Sequence, residues 1–192
     1  IMPLADDVIV YPAHGAGSAC GKNMMKETVD TLGNQKKMNY ALRADMTRDE
    51  YIKEVTDGLP LPPNYFPLNV KMNKEGYEDI NQIINRAVNP LSVDEFEAVA
   101  NQSGAIVLDV RNQKDYVKGH IPRSIFIGLD GGFAPWVGTL LKDVKQQILL
   151  VVPVGREKEA ITRLSRVGFD QTIGFLKGGF SSWRESGKEI DS

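Results

Sequence analysis

The sequence predicts an α/β protein in which a C-terminal parallel sheet is covered by helices on both faces and preceded by an incomplete α/β segment. Three observations lead there. From Leu91 onward, short apolar runs alternate regularly with amphipathic helical stretches. Those runs are near-continuous instead of alternating with polar residues, the pattern of strands buried on both sides. Ahead of residue 75 there is one strand pattern and two or three helical ones, too little to close an independent core.

Val8 to Tyr11 form a strand-like run stopped by Pro12, and Ala13 to Gly21 are a loop of small residues. Lys22 to Leu32 have helical character. Asn34 to Leu42 are polar with scattered apolar residues. Thr47 followed by Glu50 is a capping-box pattern that starts a helix to Asp57, with Tyr51, Ile52 and Val55 available for a buried stripe. The prolines between Leu59 and Pro67 demand an extended or turning chain lying against a surface. Tyr77, Ile80, Ile83, Ile84 and Val88 then give a short amphipathic stretch.

In the second half, Ser92 and Glu95 make another capping box ahead of Phe96, Val99 and Ala100. Ala105 to Val110, Ile125 to Ile127, Ile148 to Val152 and Ile173 to Leu176 are the strands. Val137 to Leu141, Glu157 to Val167 and Phe180 to Ser186 are the helices between and after them. Trp136 and Trp183 are expected to be packing residues. The domain boundaries expected are 1–75, a connector at 76–89, and 90–192.

Composition narrows the function classes. Hydrophobic residues make up 42% and charged ones 25%, with no apolar run long enough to span a bilayer, so no membrane segment is expected. A net charge of -2 without a basic cluster gives no reason to expect nucleic acid. Cys20 is the sole cysteine, which excludes an intrachain disulfide and a thiolate-rich metal site and agrees with a cytoplasmic location. Cys20 lies in a glycine-rich loop near Lys22, so it is a candidate reactive thiol as well as an ordinary small loop residue. The chain starts without methionine and enters a strand pattern at once, which leads us to expect a piece of a longer protein.

Three strings carry a resemblance in the second half: LDVRNQKDYVKGHIPRSIFI from Leu108 to Ile127, the strand ILLVV from Ile148 to Val152, and GFDQTIGFLKGGFSSW from Gly168 to Trp183. In this order they resemble a rhodanese domain. Active rhodaneses open the loop after the central strand with Cys-x-x-Gly-x-Arg, whose cysteine carries a persulfide cradled by loop N–H groups. Here the loop is VPVGREK. With Gly155 as the loop glycine, Val152 takes the nucleophile position, Pro153 and Val154 follow, and Glu157 replaces the basic residue beside Arg156. Valine is no nucleophile and Pro153 has no N–H to donate, so the resemblance implies an inactive domain with no complete catalytic site. Asp109 and Arg111 resemble the family's DVR pair. They and Arg156 are expected to make structural ion pairs, with contact to an anion as the alternative. His120 in GHIP is expected to position a turn.

In the first half, VYPAHGAGSACGKN, then ETVDTLGNQKKMNYAL, then LPLPPNYF resemble the closing portion of a metallo-β-lactamase-fold (αββα) domain, nearest the persulfide dioxygenase and glyoxalase II branch. His14 matches a histidine that is a metal ligand, or a neighbour of the metal, in such proteins. One histidine is not a metal site, and the HxHxDH run of the superfamily is absent. The resemblance implies iron in the complete parent domain, with zinc as the alternative, and no cofactor in this piece.

Together the resemblances imply part of an iron-dependent persulfide dioxygenase acting on a low-molecular-weight persulfide or thiol, with a non-catalytic rhodanese-like module. The alternatives are a two-metal thioester hydrolase of glyoxalase II type and a partner-binding module without enzymatic activity. Homo-oligomerisation is left open.

Overall fold

The computed structural model describes residues 1–13, 26–59 and 65–192. The chain divides into two compact units, Ile1–Leu61 and Pro62–Ser192.

In the first unit, β1 (Ile9–Val10) pairs antiparallel with β2 (Asp30–Thr31), and α1 (Leu32–Met38) follows directly. Of the helix expected over 22–32, residues 26–31 are not helical and α1 begins at Leu32, while residues 22–25 lie outside the described residues. β-branched Val29 and Thr31 favour extended backbone, and Thr31 Oγ1 accepts from Asn34 N at 3.2 Å, making it the N-cap. Asp30 reinforces the junction by accepting from Gln35 Nε2 at 2.7 Å and from the Asn34 amide. A 3-10 turn at Tyr40–Leu42 precedes α2 (Arg48–Thr56). The Thr47–Glu50 capping box is formed on both sides. The buried stripe expected on α2 is not: Tyr51 and Ile52 are exposed and Val55 is half-buried. Among the described residues of this unit, Leu32 is the buried large apolar side chain.

The second unit opens with α3 (Phe66–Glu75), where Pro67 in the first turn removes an N–H that would have no helical partner. Residues 60–64 of the proline-rich stretch lie outside the described residues. Next come α4 (Ile80–Ala87), β3 (Pro90–Leu91), α5 (Val93–Gln102), β4 (Ile106–Asp109), α6 (Gln113–Tyr116) and β5 (Ile125–Phe126). The chain finishes with α7 (Phe133–Leu140), β6 (Ile148–Val151), α8 (Glu157–Ser165), β7 (Thr172–Leu176) and α9 (Gly179–Glu185). Five parallel strands form one sheet in the order β3-β7-β6-β4-β5.

Alternation along β6 shows how the sheet is covered. Ile148, Leu150 and Val152 face a core with Ile83 and Ala87 of α4, Phe133 and Val137 of α7, and Ala160, Ile161 and Leu164 of α8. Leu149 and Val151 face the other core, with Phe96 of α5 and Phe180 and Trp183 of α9. α4 therefore belongs to the core of the second unit, and the compact division falls upstream of the 76–89 connector drawn from the sequence. Its Ile83 and Ala87 stripe explains why: it covers the sheet beside α8. The Ser92–Glu95 capping box starts α5 as expected. Among the described residues, no helix is long and apolar enough to cross a membrane.

Candidate functional site

β4 and β6 are neighbours, and the connections leaving them run to opposite sides of the sheet, which opens a crevice at their carboxyl ends. A cavity of about 350 Å3 lies there, lined by Arg111 after β4, by Val152, Pro153 and Val154 after β6, and by Gly178 to Ser181 after β7, together with Asp115, Lys118 and Arg184.

The loop after β6 is a tight turn. Arg156 N donates to Pro153 O at 3.0 Å, and Gly155 takes φ +90, a conformation that a side chain would strain. Val152 is 1% exposed and its side chain joins the core under α8. Pro153 offers no N–H. The Gly155 N–H is taken by Glu157 Oε1 at 3.0 Å. At the position where a rhodanese needs a thiol and free N–H donors, the turn thus presents an apolar side chain, an imide nitrogen and a donor already occupied by a carboxylate.

Arg156 is turned outward. It donates to Asp130 at 2.8 and 3.2 Å and to Glu159 at 2.8 and 2.9 Å. These hydrogen bonds raise the guanidinium pKa further, Glu159 contributing most, and hold the Glu159 and Asp130 carboxyls below the usual carboxylate range. With two carboxylates on its fork, Arg156 has little left to offer an anionic ligand.

Asp109 and Arg111 meet as a buried bidentate pair. Arg111 Nε donates to Asp109 Oδ1 at 2.9 Å and Nη2 to Oδ2 at 2.7 Å, with Asp109 fully buried. Arg111 Nη2 also donates to Gly119 O at 2.8 Å, and the guanidinium lies 4.0 Å from the centre of the Phe180 ring. One side chain so joins the end of β4, the turn before β5 and the start of α9. Gly178 and Gly179 both have positive φ, and a Cβ on Gly179 would stand 3.1 Å from Val152 O. This pair of glycines, legible in the sequence only as a turn, lets the β7 loop approach the degenerate β6 loop closely.

His120 lies apart from Val152 functionally: its ring stacks on Tyr116 at 4.0 Å and its backbone bridges Asp191. Trp183 packs as expected, edge-on to Phe96 with Nε1 donating to Glu189 O at 2.9 Å. Trp136 does not. It is 59% exposed on α7 and lines a second cavity, because Phe133 and Val137 already turn the buried stripe of that helix to the core. Phe180, Lys118 and Arg184 were missed in the sequence, having no motif beyond their place after the glycine pair or before GHIP. His14 and Cys20 lie outside the described residues. Among the described residues, no group of three His, Cys, Asp or Glu side chains is placed to hold a metal ion.

Residues 92–186 match the family model of the rhodanese-like domain. Over 92% of its length the chain is similar to a crystal structure of a metallo-beta-lactamase from Staphylococcus aureus subsp. aureus COL, at 27% identity and a TM-score of 0.67, and it spans 47% of that protein. It is also similar to the rhodanese-like domain of the Anabaena sp. Alr3790 protein, at 19% identity and a TM-score of 0.47, covering 54% of this chain and 78% of that one. No curated protein matches the sequence.

Proposed function

We propose, for a chain whose residues 92–186 form a rhodanese-like domain, that this domain is a non-catalytic module of a persulfide dioxygenase in sulfide metabolism. The observation that carries the non-catalytic half is the turn at Val152 to Arg156, where a buried valine stands at the nucleophile position, Pro153 has no N–H and the Gly155 N–H is held by Glu157. Similarity over 92% of the chain to a protein described as a metallo-beta-lactamase supports the pairing with a metal-dependent oxidising or hydrolysing domain. In this reading the substrate is a low-molecular-weight persulfide such as glutathione persulfide, which O2 and one water convert to sulfite, free thiol and two protons in the cytoplasm. Iron would supply the O2 chemistry, and none of the described residues is assigned to hold it.

The test is oxygen uptake by the complete, iron-loaded protein given glutathione persulfide. Consumption of O2 with sulfite formed is the expected result. A folded, iron-bound protein that consumes none overturns the dioxygenase reading. The description of the Staphylococcus aureus relative as a metallo-beta-lactamase supports a metal-dependent hydrolase as the second reading, here a thioester hydrolase that uses two metals to activate water. Thioester hydrolysis requiring two metals per chain, without O2 uptake, selects it.

A further inference from the structure

We propose that the cavity beside Trp136 is a binding site for a planar aromatic ring carrying an anionic group, the chemistry of a nucleoside monophosphate. The cavity of about 600 Å3 lies among the loops after β4 and β5 and the exposed side of α7. That volume suits a single nucleotide or a molecule of similar size. The proposal does not depend on the reaction of the parent protein.

Two aromatic side chains line it. Trp136 is 59% exposed, an unusual position for an indole on a helix whose neighbouring residues Phe133 and Val137 are fully buried. Phe126 also lines the cavity, and its ring packs on Tyr116 at 4.7 Å, which itself stacks on His120 at 4.0 Å. Phe126 is therefore held from behind by an aromatic ladder, as a rigid wall for a flat ligand should be. Gly128 and Gly132 also line the cavity and add no side chain to it. A Cβ on Gly132 would stand 3.6 Å from the Trp136 ring, and one on Gly128 would stand 3.2 Å from Phe126.

The polar groups supply the second half of the ligand. Asp130 and Glu159 share Arg156, Glu159 also meets Arg163 at 3.7 Å, and Arg111 is paired with Asp109, so these charges balance and none sets the sign of the cavity. Lys114 lines it too, and no ion pair engages its ammonium among the described residues. Gly132 is the N-cap of α7 and no side chain caps that helix start, which adds a weak preference for negative charge on the same side. Stacking on an indole is tolerant of the ring's identity, whereas the ammonium asks for an anion.

The molecule carries its own reporter, because Trp183 is 4% exposed and Trp136 faces the cavity. Intrinsic fluorescence of the 192-residue chain is titrated with adenosine monophosphate, with adenosine and inorganic phosphate as separate arms. The expected result is saturable quenching by the nucleotide, weaker binding of adenosine, and no quenching by phosphate. K114A should weaken the nucleotide about fivefold, as loss of one exposed ion pair would, and W136A should abolish its heat of binding in calorimetry. Quenching that rises linearly without saturation, or calorimetric affinity unchanged in W136A, overturns the proposal.

Discussion

Gly155 donates its backbone N–H to the Glu157 carboxylate across 3.0 Å, so one N–H of the turn that a rhodanese would use to hold a sulfur anion is already taken by an anion of its own. The same turn has Pro153, without an N–H, and a core valine in place of a thiol. Three independent features of one loop therefore oppose sulfur transfer.

Restoring the thiol alone should not restore the chemistry. V152C is expected to give thiosulfate:cyanide sulfurtransferase activity no higher than the wild-type blank. V152C/E157R, which frees the Gly155 N–H and returns a basic residue, should exceed it. Turnover by V152C alone, read as thiocyanate formed, would show that the existing turn is a sufficient cradle.

The Asp109–Arg111 pair should matter more to stability than any surface pair. Removing one partner leaves the other charge buried, which costs about 3–5 kcal/mol. R111A should therefore lower the urea midpoint strongly. R111K should rescue little, since an ammonium cannot reproduce the bidentate fork or the bond to Gly119 O. A midpoint for R111A within error of wild type would contradict the structural role.

Asp170 should give a pH dependence of the opposite sign to most carboxylates here. Burial raises its pKa above the ordinary 3.8, and its Oδ1 is buried without a hydrogen-bond partner. The folded state thus binds its proton more tightly than the unfolded chain. Its contribution favours folding below the ordinary carboxylate range and is lost as pH rises through the raised value. The stability difference between D170N and wild type should shift in favour of D170N across that window. A difference that stays flat with pH would remove Asp170 as the cause.

Asp130 and Glu159 behave the other way. Their pKa values are lowered by Arg156, so the stabilisation is present above the ordinary carboxylate values and lost as pH falls through the lowered ones. In R156Q both carboxyls should titrate at higher pH in NMR, back towards ordinary values. Unchanged titration would mean that Arg156 does not hold them in solution.

Much of this architecture follows from local pattern. The buried runs of β4, β6 and β7 and the two capping boxes needed no tertiary information, because strand burial and N-caps are written in adjacent residues. The VPVGREK turn was equally legible as a site without a nucleophile. The start of α1 was not, since whether Val29 and Thr31 extend or coil depends on pairing with β1, a partner distant in sequence.

By itself, then, the sequence determined the sheet, the helices that could cover it and the absence of a thiol at Val152, for these depend on residue type and period. Only the tertiary structure decided what the free groups do. It set Glu157 on the Gly155 N–H, committed Arg156 to Asp130 and Glu159, locked Arg111 between Asp109, Gly119 and Phe180, and left Trp136 facing a cavity. Most of those partners come from different loops, and which donor meets which acceptor is fixed where the ends of separate strands converge in space.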